Sequence, residues 1–311
     1  MPGVMAITRV RRRAAAAAII AVVGIVAATA TAGAAIHPGS YDQRLKSGTV
    51  PSGDTIVLQA VCPAGDRIVT GGAYWHQIGQ NGDSSLETTI IASAPTANAR
   101  GWSVTGANLA GASLILTVLA DCLPSGSVGT YSVQTSTVSF AESFGRTSVK
   151  CPAGQEVVAG GAALLHPELD PSAAQDLFLQ QSYPNKSGKG WYASAYNGGT
   201  TALDLKVSAL CRPSRSVGTY QQVVEHVTVL DDSAADDTAD VYVHCPSGKH
   251  VVTGGAFWSP GPPPPYSPTT GYFGTIENIT PTGDGTYWYV AGKSDDGNPR
   301  VLTVIALCLP S

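Results

Sequence analysis

The chain has 311 residues, of which 43% are hydrophobic and only 13% are charged, and its formal net charge is −4. Four of its 18 basic residues and none of its 22 acidic residues lie in the first 35 positions. The rest of the chain therefore has 14 basic and 22 acidic side chains, a net charge of about −8. This balance disfavours nucleic acid and anionic membrane surfaces as partners, because both select clusters of lysine and arginine.

Residues 1–35 have the three parts of a secretory signal peptide. Four arginines lie in residues 9–13, an unbroken run of small apolar residues follows at 14–30, and residues 30–35 offer cleavage frames of the A-x-A type. This order is typical of a leader that is removed. We therefore predict a secreted protein with no membrane contact after leader removal. The alternative is envelope anchoring by an uncleaved segment, since residues 14–36 are long enough to span a bilayer.

A pattern of Cys-Pro-x-Gly, a valine-rich segment and Gly-Gly-Ala occurs three times in the remaining chain. The copies begin at Cys62, Cys151 and Cys245. They recur at intervals of about 90 residues, which exceeds the usual solenoid repeat and matches a small domain. We therefore predict three tandem homologous modules, at residues 41–124, 131–213 and 220–310.

Alternating apolar residues predict that the modules consist of β-strands. The first module ends with Leu116, Val118, Ala120 and Cys122 at alternate positions, and the other two modules end in the same way. A fixed apolar side backed by a variable side is typical of a half-buried strand. The segments between clusters of Gly, Pro, Asn and Asp give five or six strands per module. The predicted fold is all-β, with three disulfide-bonded modules that each resemble a β-sandwich.

The six cysteines, two in each module, are expected to form disulfides in an exported chain. Six cysteines allow 15 pairings, and the threefold repetition favours pairing within modules. Pairing within a module closes a loop of about 60 residues. On the loop-entropy model this stabilises the fold by about 4 kcal/mol. No cysteine has the neighbours of a zinc site, and we predict neither a metal site nor a cofactor. The predicted pairs are Cys62–Cys122, Cys151–Cys211 and Cys245–Cys308.

A pair of glycines inside a valine-rich strand needs a reason, because glycine weakens strands. In the first module, we expect Gly71 and Gly72 to make room for the ring of Trp102. The alternative is a glycine loop that approaches a ligand. The equivalent residues are Gly160, Gly161 and Trp191 in the second module, and Gly254, Gly255 and Trp288 in the third.

The residues that repeat do not indicate catalysis. They are Cys, Pro, Gly, Ala and Trp, and none of the six histidines occupies an equivalent position in all three modules. The G-x-S-x-G and H-E-x-x-H motifs are both missing. We predict that the protein is not an enzyme, with a secreted hydrolase whose site lies at a module junction as the alternative. Residues 231–240, which hold five aspartates, are interpreted as a solvated loop, with calcium binding left open.

The third module has the residues best suited to binding. Six aromatic residues occur close to a proline-rich insertion at residues 261–266. Tyr287 and Tyr289 flank the core residue Trp288, so they should point away from the core. Aromatic side chains with polar neighbours are used in sugar-stacking and protein-docking surfaces. The candidate binding residues are Trp258, Tyr266, Tyr272, Phe273, Tyr287 and Tyr289.

The order of Cys-Pro-x-Gly to Gly-Gly-Ala, Ser-x-Pro, Gly-Trp and Leu-x-Val-x-Ala-x-Cys resembles a group of uncharacterised exported repeat proteins from high-GC Gram-positive bacteria. In the first module it lies at residues 62–73, 93–95, 101–102 and 116–122. The resemblance covers nearly all of residues 41–310 and implies no activity. A looser similarity to vitelline membrane outer layer proteins, in the Cys-Pro-x-Gly and paired cysteines, implies a pseudo-threefold β-prism as the alternative fold. The strand lengths differ from that pattern.

The sequence therefore predicts a secreted, non-enzymatic binding or surface-structural protein. Its expected partner is a glycan, a wall polymer or another protein.

Overall fold

The computed structural model describes residues 41–77, 87–165, 177–229, 238–260, 274–282, 285–294 and 299–310. Within these ranges, the regular structure consists of eighteen strands and two one-turn helices. The all-β prediction is therefore confirmed. The helices α1 (Ser125–Val128) and α2 (Ser214–Val217) follow the first and second repeat units.

Each unit contributes six strands. The first unit has β1 (Asp42–Val50), β2 (Thr55–Val61), β3 (Asp66–His76), β4 (Thr88–Pro95), β5 (Gly101–Asn108) and β6 (Leu114–Pro124). The second has β7 (Ser132–Phe140), β8 (Ser143–Lys150), β9 (Gln155–Leu165), β10 (Leu177–Pro184), β11 (Gly190–Asn197) and β12 (Leu203–Pro213). The third has β13 (Gln221–Val229), β14 (Thr238–His244), β15 (Lys249–Pro260), β16 (Thr275–Pro281), β17 (Tyr287–Lys293) and β18 (Arg300–Pro310).

The strands form three antiparallel six-stranded sheets, and each sheet is shared by two units. Sheet A has the order β1-β6-β3-β16-β17-β14, sheet B has β2-β5-β4-β9-β12-β7, and sheet C has β13-β18-β15-β10-β11-β8. Each unit thus supplies three strands to one sheet and three to another, which is a sandwich-like pair of half-sheets, as predicted. The half-sheets of different units join edge to edge through β3 with β16, β4 with β9, and β10 with β15. These joints link the units in a ring, as in the pseudo-threefold alternative.

The three disulfides form within the units, which confirms the predicted pairing. Cys62 pairs with Cys122 at a Cα–Cα distance of 5.7 Å, and the second and third disulfides have distances of 5.6 and 5.8 Å. Cys62 directly follows β2 of sheet B, whereas Cys122 lies in β6 of sheet A, so the bond holds the two half-sheets of the unit together. Three disulfides fit an oxidising extracellular compartment. Among the described residues, no helix is long and apolar enough to cross a membrane.

The tyrosine that opens each unit hydrogen-bonds to the preceding unit in the ring. The hydroxyl of Tyr131 donates to the carbonyl oxygen of Ile68 at 2.6 Å, and the hydroxyl of Tyr220 donates to the carbonyl oxygen of Val157. Ile68 lies beside a β-bulge in the pairing of β3 with β6, and Val157 lies beside the equivalent bulge of β9. A bulge disrupts the ladder locally. The tyrosine hydroxyl supplies a partner for a carbonyl at that point.

The two glycines of each pair have different neighbours. A Cβ atom on Gly71 would lie 2.6 Å from the ring of Trp102, and the same contact occurs between Gly160 and Trp191 and between Gly254 and Trp288. The first glycine therefore makes room for the tryptophan of its own unit, as the packing hypothesis requires.

The second glycine lies at the joint between units rather than against the tryptophan, which corrects that part of the hypothesis. A Cβ atom on Gly72 would lie 2.1 Å from the carbonyl oxygen of Ile279 in the third unit. The equivalent atom on Gly161 would lie 2.2 Å from the carbonyl oxygen of Ser93. The backbone of a neighbouring unit approaches too closely for any side chain at this position.

The tryptophan indoles are anchored differently in the third unit. Nε1 of Trp102 donates to the hydroxyl of Ser93 at 2.9 Å, and Nε1 of Trp191 donates to the hydroxyl of Ser182 at the same distance. Isoleucine stands at the equivalent position 279, and the Nε1 of Trp288 has no hydrogen-bond partner among the described residues. An unpaired buried donor is costly. The third unit therefore has an unsatisfied buried donor where the other two units have a hydrogen bond.

Candidate functional site

The alternation of β17 places two tyrosines on the outer face of sheet A. Trp288 is only 2% exposed and belongs to the core, whereas its neighbours Tyr287 and Tyr289 are half-buried on the opposite face. This is the arrangement expected from the period of two in a strand. The neighbouring edge strand β14 adds Tyr242, which is directly opposite Tyr289 and is 49% exposed.

These side chains line a groove of about 380 Å³ that crosses the joint between the first and third units. The first unit contributes Tyr74 from β3, and the third contributes Tyr242, Tyr287 and Tyr289. Polar groups stand among the rings. The remaining lining residues are Gln43, Leu45, Leu119, Thr280, Pro281 and Thr282.

The tyrosine rings of β14 and β17 contact one another. The ring centroids of Tyr242 and Tyr289 are 4.8 Å apart with the planes tilted by 31°, and those of Tyr242 and Tyr287 are 5.4 Å apart in an edge-on arrangement. His244, at the end of β14, lies 4.9 Å from the ring of Tyr287. Aromatic pairs at such separations attract one another beyond their buried area. The groove wall is therefore held in place before any ligand arrives.

A carboxylate fixes the hydroxyl of Tyr289. The Tyr289 hydroxyl donates to Oδ1 of Asp240 at 2.6 Å. Burial, and then the hydrogen bond and negative charge of Asp240, raise the pKa of Tyr289 well above its ordinary value. The hydroxyl therefore stays protonated across the physiological pH range and remains a donor to Asp240.

A second carboxyl group lies beneath the groove. Asp121 on β6 is 1% exposed, and its Oδ1 accepts a hydrogen bond of 3.1 Å from Nε2 of the groove residue Gln43. Its Oδ2 has no hydrogen-bond partner among the described residues. Burial raises the pKa of Asp121 to about 7, and the hydrogen bond from Gln43 opposes this rise. The equivalent residues of the other units are Leu210 and Leu307, so the buried acid is particular to sheet A.

The candidate residues chosen from the sequence have three different outcomes. Tyr287 and Tyr289 line the groove. Trp258 does not belong to any exposed surface: it is fully buried, and its indole donates to the carbonyl oxygen of Thr275 at 2.9 Å. The reason is that it stands on the apolar side of β15, where Trp75 stands in the first unit. Tyr266, Tyr272 and Phe273 lie outside the described residues.

Sequence reasoning missed Tyr74 and Tyr242. Tyr242 could have been found, because it lies between Val241 and Val243, whose alternation assigns it to the outer side of β14. Tyr74 belongs to another unit, and only the joint between β3 and β16 brings it to the groove. No pattern within the third unit could have indicated it.

The described residues contain no group of three His, Cys, Asp or Glu side chains arranged to hold a metal ion. The acidic run at 231–240, apart from its last three residues, lies outside the described ranges. At the groove, Asp240 and His244 are four residues apart on one strand, which separates them by roughly 13 Å. That distance is too great for a hydrogen-bonded pair.

No protein-family profile matches the chain, and no curated protein sequence matches it significantly.

Proposed function

We propose that the protein is a secreted, non-enzymatic glycan-binding protein whose site is the tyrosine-lined groove of sheet A. The observation that carries this proposal is the convergence of four tyrosines from two units, Tyr74, Tyr242, Tyr287 and Tyr289, around one groove. Export is supported by the leader-like residues 1–35 and by the three disulfides.

The chemistry of the groove suits a sugar. A pyranose ring has apolar C–H faces, which pack against aromatic rings, and a rim of hydroxyl groups, which need hydrogen-bond partners. The groove offers both: tyrosine rings on its wall, and the side chains of Gln43, Thr280 and Thr282 between them. Its volume lies within the roughly 300–1,000 Å³ that is common for small-ligand sites. Because none of the described residues that line it is a cation, a neutral sugar suits it better than an acidic one.

The groove also lies across the joint rather than along one unit. Four lining residues, Gln43, Leu45, Tyr74 and Leu119, come from the first unit, and the remaining lining residues come from the third. A ligand that fills the groove therefore contacts two units and stabilises their association, since binding to the folded form alone shifts the folding equilibrium.

The test is to screen the mature protein against a panel of neutral and N-acetylated oligosaccharides and to titrate the best binder by calorimetry. Replacing both Tyr242 and Tyr289 with alanine should weaken its binding about tenfold or more, because it removes two stacking surfaces. Gln59→Ala is the matched control, because Gln59 occupies the position of Tyr242 on sheet B. Lack of binding by the wild type, or equal binding by the double variant, would contradict the proposal. Hydrolysis of the oligosaccharide would favour the enzyme alternative instead.

A further inference from the structure

The three sheets present geometrically equivalent outer faces. In each, an outer edge strand pairs with the strand that bears the unit's tryptophan, and the register is the same. The opposed pairs are Tyr242 with Tyr289 on sheet A, Ser148 with Tyr192 on sheet C, and Gln59 with Ser103 on sheet B. The chemistry of these faces can therefore be compared position by position.

Sheet C has its own groove, of about 260 Å³, at the place that corresponds to the tyrosine groove of sheet A. Tyr183 and Tyr192 line it, with ring centroids 5.3 Å apart. The ring of Phe257 lies 4.8 Å from Tyr183, at the position that Tyr74 occupies on sheet A. Aromatic rings therefore gather at the joint between the second and third units, as they do at the joint between the first and third.

The second groove is lined by two lysines, whereas none of the described residues that line the first is charged. The edge strand β8 places Arg146 where sheet A has Asp240, and Lys150 where sheet A has His244. Lys150 and Lys186 line the groove, and Arg146 hydrogen-bonds to Tyr192. None of the described residues that line it is acidic.

Sheet B shows that such grooves are not a necessary product of the fold. Its corresponding joint has Ala94 and Ala163 in place of the aromatic residues, and Ser103 in place of Tyr192. Its edge strand exposes Val57 and Val61 instead of charged residues. The same backbone arrangement thus occurs without aromatic rings or cations, so sheet B serves as an internal reference for sheet C.

We propose that the outer face of sheet C is a second, independent binding site, which takes an acidic polysaccharide. The uronic acid carboxylate would pair with Lys150 and Lys186, and the sugar ring would pack against Tyr183 and Tyr192. The negative charge of the whole chain, about −8 without the leader, repels densely charged polyanions at long range. An acidic polysaccharide has one negative charge per acidic sugar. It therefore fits two lysines beside a pair of tyrosine rings better than polyphosphate or nucleic acid does. This site does not depend on the neutral-glycan site of sheet A.

The test uses the mature protein and a hexamer of galacturonate, titrated by calorimetry at salt concentrations from about 50 to about 300 mM. Replacing both Lys150 and Lys186 with alanine should weaken binding about tenfold or more and reduce its dependence on salt, because charged hydrogen bonds are lost. Tyr192→Ala should weaken binding with the salt dependence retained. The control K46A/K206A makes the same change of charge on sheets A and B and should bind as the wild type does.

Three results would overturn the proposal. They are no binding of the hexamer by the wild type, an equal loss in K46A/K206A, or binding of polyphosphate that is as tight as that of the hexamer and unaffected by Tyr192→Ala. The last two would identify general electrostatic attraction. The double variant of Tyr242 and Tyr289 separates this proposal from the preceding one, because it should leave binding of the hexamer unchanged. Far-ultraviolet circular dichroism checks that each variant is folded.

Discussion

The hydroxyl of Tyr41 donates to the carbonyl oxygen of Val251 at 3.3 Å, although the two residues are 210 positions apart in the chain. This bond is the third member of the set formed by Tyr131 with Ile68 and by Tyr220 with Val157. The first unit thus contacts the third just as each later unit contacts the one before it. The ring of three units is therefore closed by a contact between the first described residue and β15 of the third unit.

Removing the hydroxyl of one ring tyrosine should destabilise the fold. Tyr131 is 8% exposed, so Tyr131→Phe leaves the buried carbonyl of Ile68 without this partner. We expect a loss of about 1–3 kcal/mol in the free energy of unfolding, measured by urea denaturation. Tyr41→Phe should cost less, because its hydrogen bond is longer and less buried. An unchanged midpoint for Tyr131→Phe would show that this bond does not stabilise the ring.

The two glycines of the first unit should both be intolerant of a methyl group, for different reasons. Gly71→Ala meets the ring of Trp102, which can shift, whereas Gly72→Ala meets the backbone of Ile279, which cannot shift without opening the joint. We expect a loss of about 1–3 kcal/mol for Gly71→Ala and a larger one for Gly72→Ala, measured by thermal unfolding.

Gly111→Ala is the control for the glycine variants, because no atom lies within 4 Å of a Cβ placed there. It should unfold at nearly the temperature of the wild type. If Gly72→Ala behaved like this control, β16 could not approach β3 as closely as described.

The serine that holds each tryptophan can be tested directly. Ser182→Ala removes the acceptor for Nε1 of Trp191 inside the core, and an unsatisfied buried donor costs about 1–3 kcal/mol. Denaturant unfolding monitored by tryptophan fluorescence measures the loss. Ser139→Ala, at an exposed position of β7, should have no effect. A loss of equal size in both variants would argue against the hydrogen bond as the cause.

Asp121 should make stability depend on pH. Its pKa is raised from 3.8 to about 7 on folding, so the native state binds the proton more tightly than the unfolded state does. The contribution of this group is therefore most favourable below about pH 4, and it declines as the pH rises to about 7. At about 1.4 kcal/mol per pKa unit, the decline amounts to at most about 4 kcal/mol.

Asp121→Asn removes this titration and keeps an acceptor for Gln43. The free energy of unfolding of the variant should vary less than that of the wild type between about pH 4 and 7, and it should exceed the wild-type value at about pH 8. Asp204→Asn, at an exposed position of β12, should follow the wild-type curve. An Asp121→Asn curve parallel to that of the wild type would show that the carboxyl group is not buried as described.

Much of the fold follows from local sequence patterns. The alternation that ends at Cys122 and the repetition of the cysteines specify strands, units and disulfide pairing without any long-range information. The joints between units are not indicated by any local pattern of this kind in the sequence. Where β3 meets β16, the Cα atoms of Ala73 and Ile279 lie directly opposite each other. This pairing depends on the close approach allowed by Gly72.

For the same reason, only half of the candidate site could be predicted from the sequence. Tyr287 and Tyr289 are identified by their alternation with Trp288, which is a local signal. Their combination with Tyr74 depends on which unit adjoins the third, and a repeat pattern that is the same in all units does not encode that. The two proposed sites lie where the units differ, and they were found by comparing equivalent positions on the three sheets.

The proposal that can be tested most sharply is that the first and third units build the binding groove together. Its most direct test is calorimetric titration of the neutral oligosaccharide with two single variants, Tyr74→Ala in the first unit and Tyr289→Ala in the third. Both variants are expected to bind more weakly than the wild type, by several-fold or more, while far-ultraviolet circular dichroism shows that they remain folded. Weaker binding by Tyr289→Ala alone, with Tyr74→Ala equal to the wild type, would contradict the proposal.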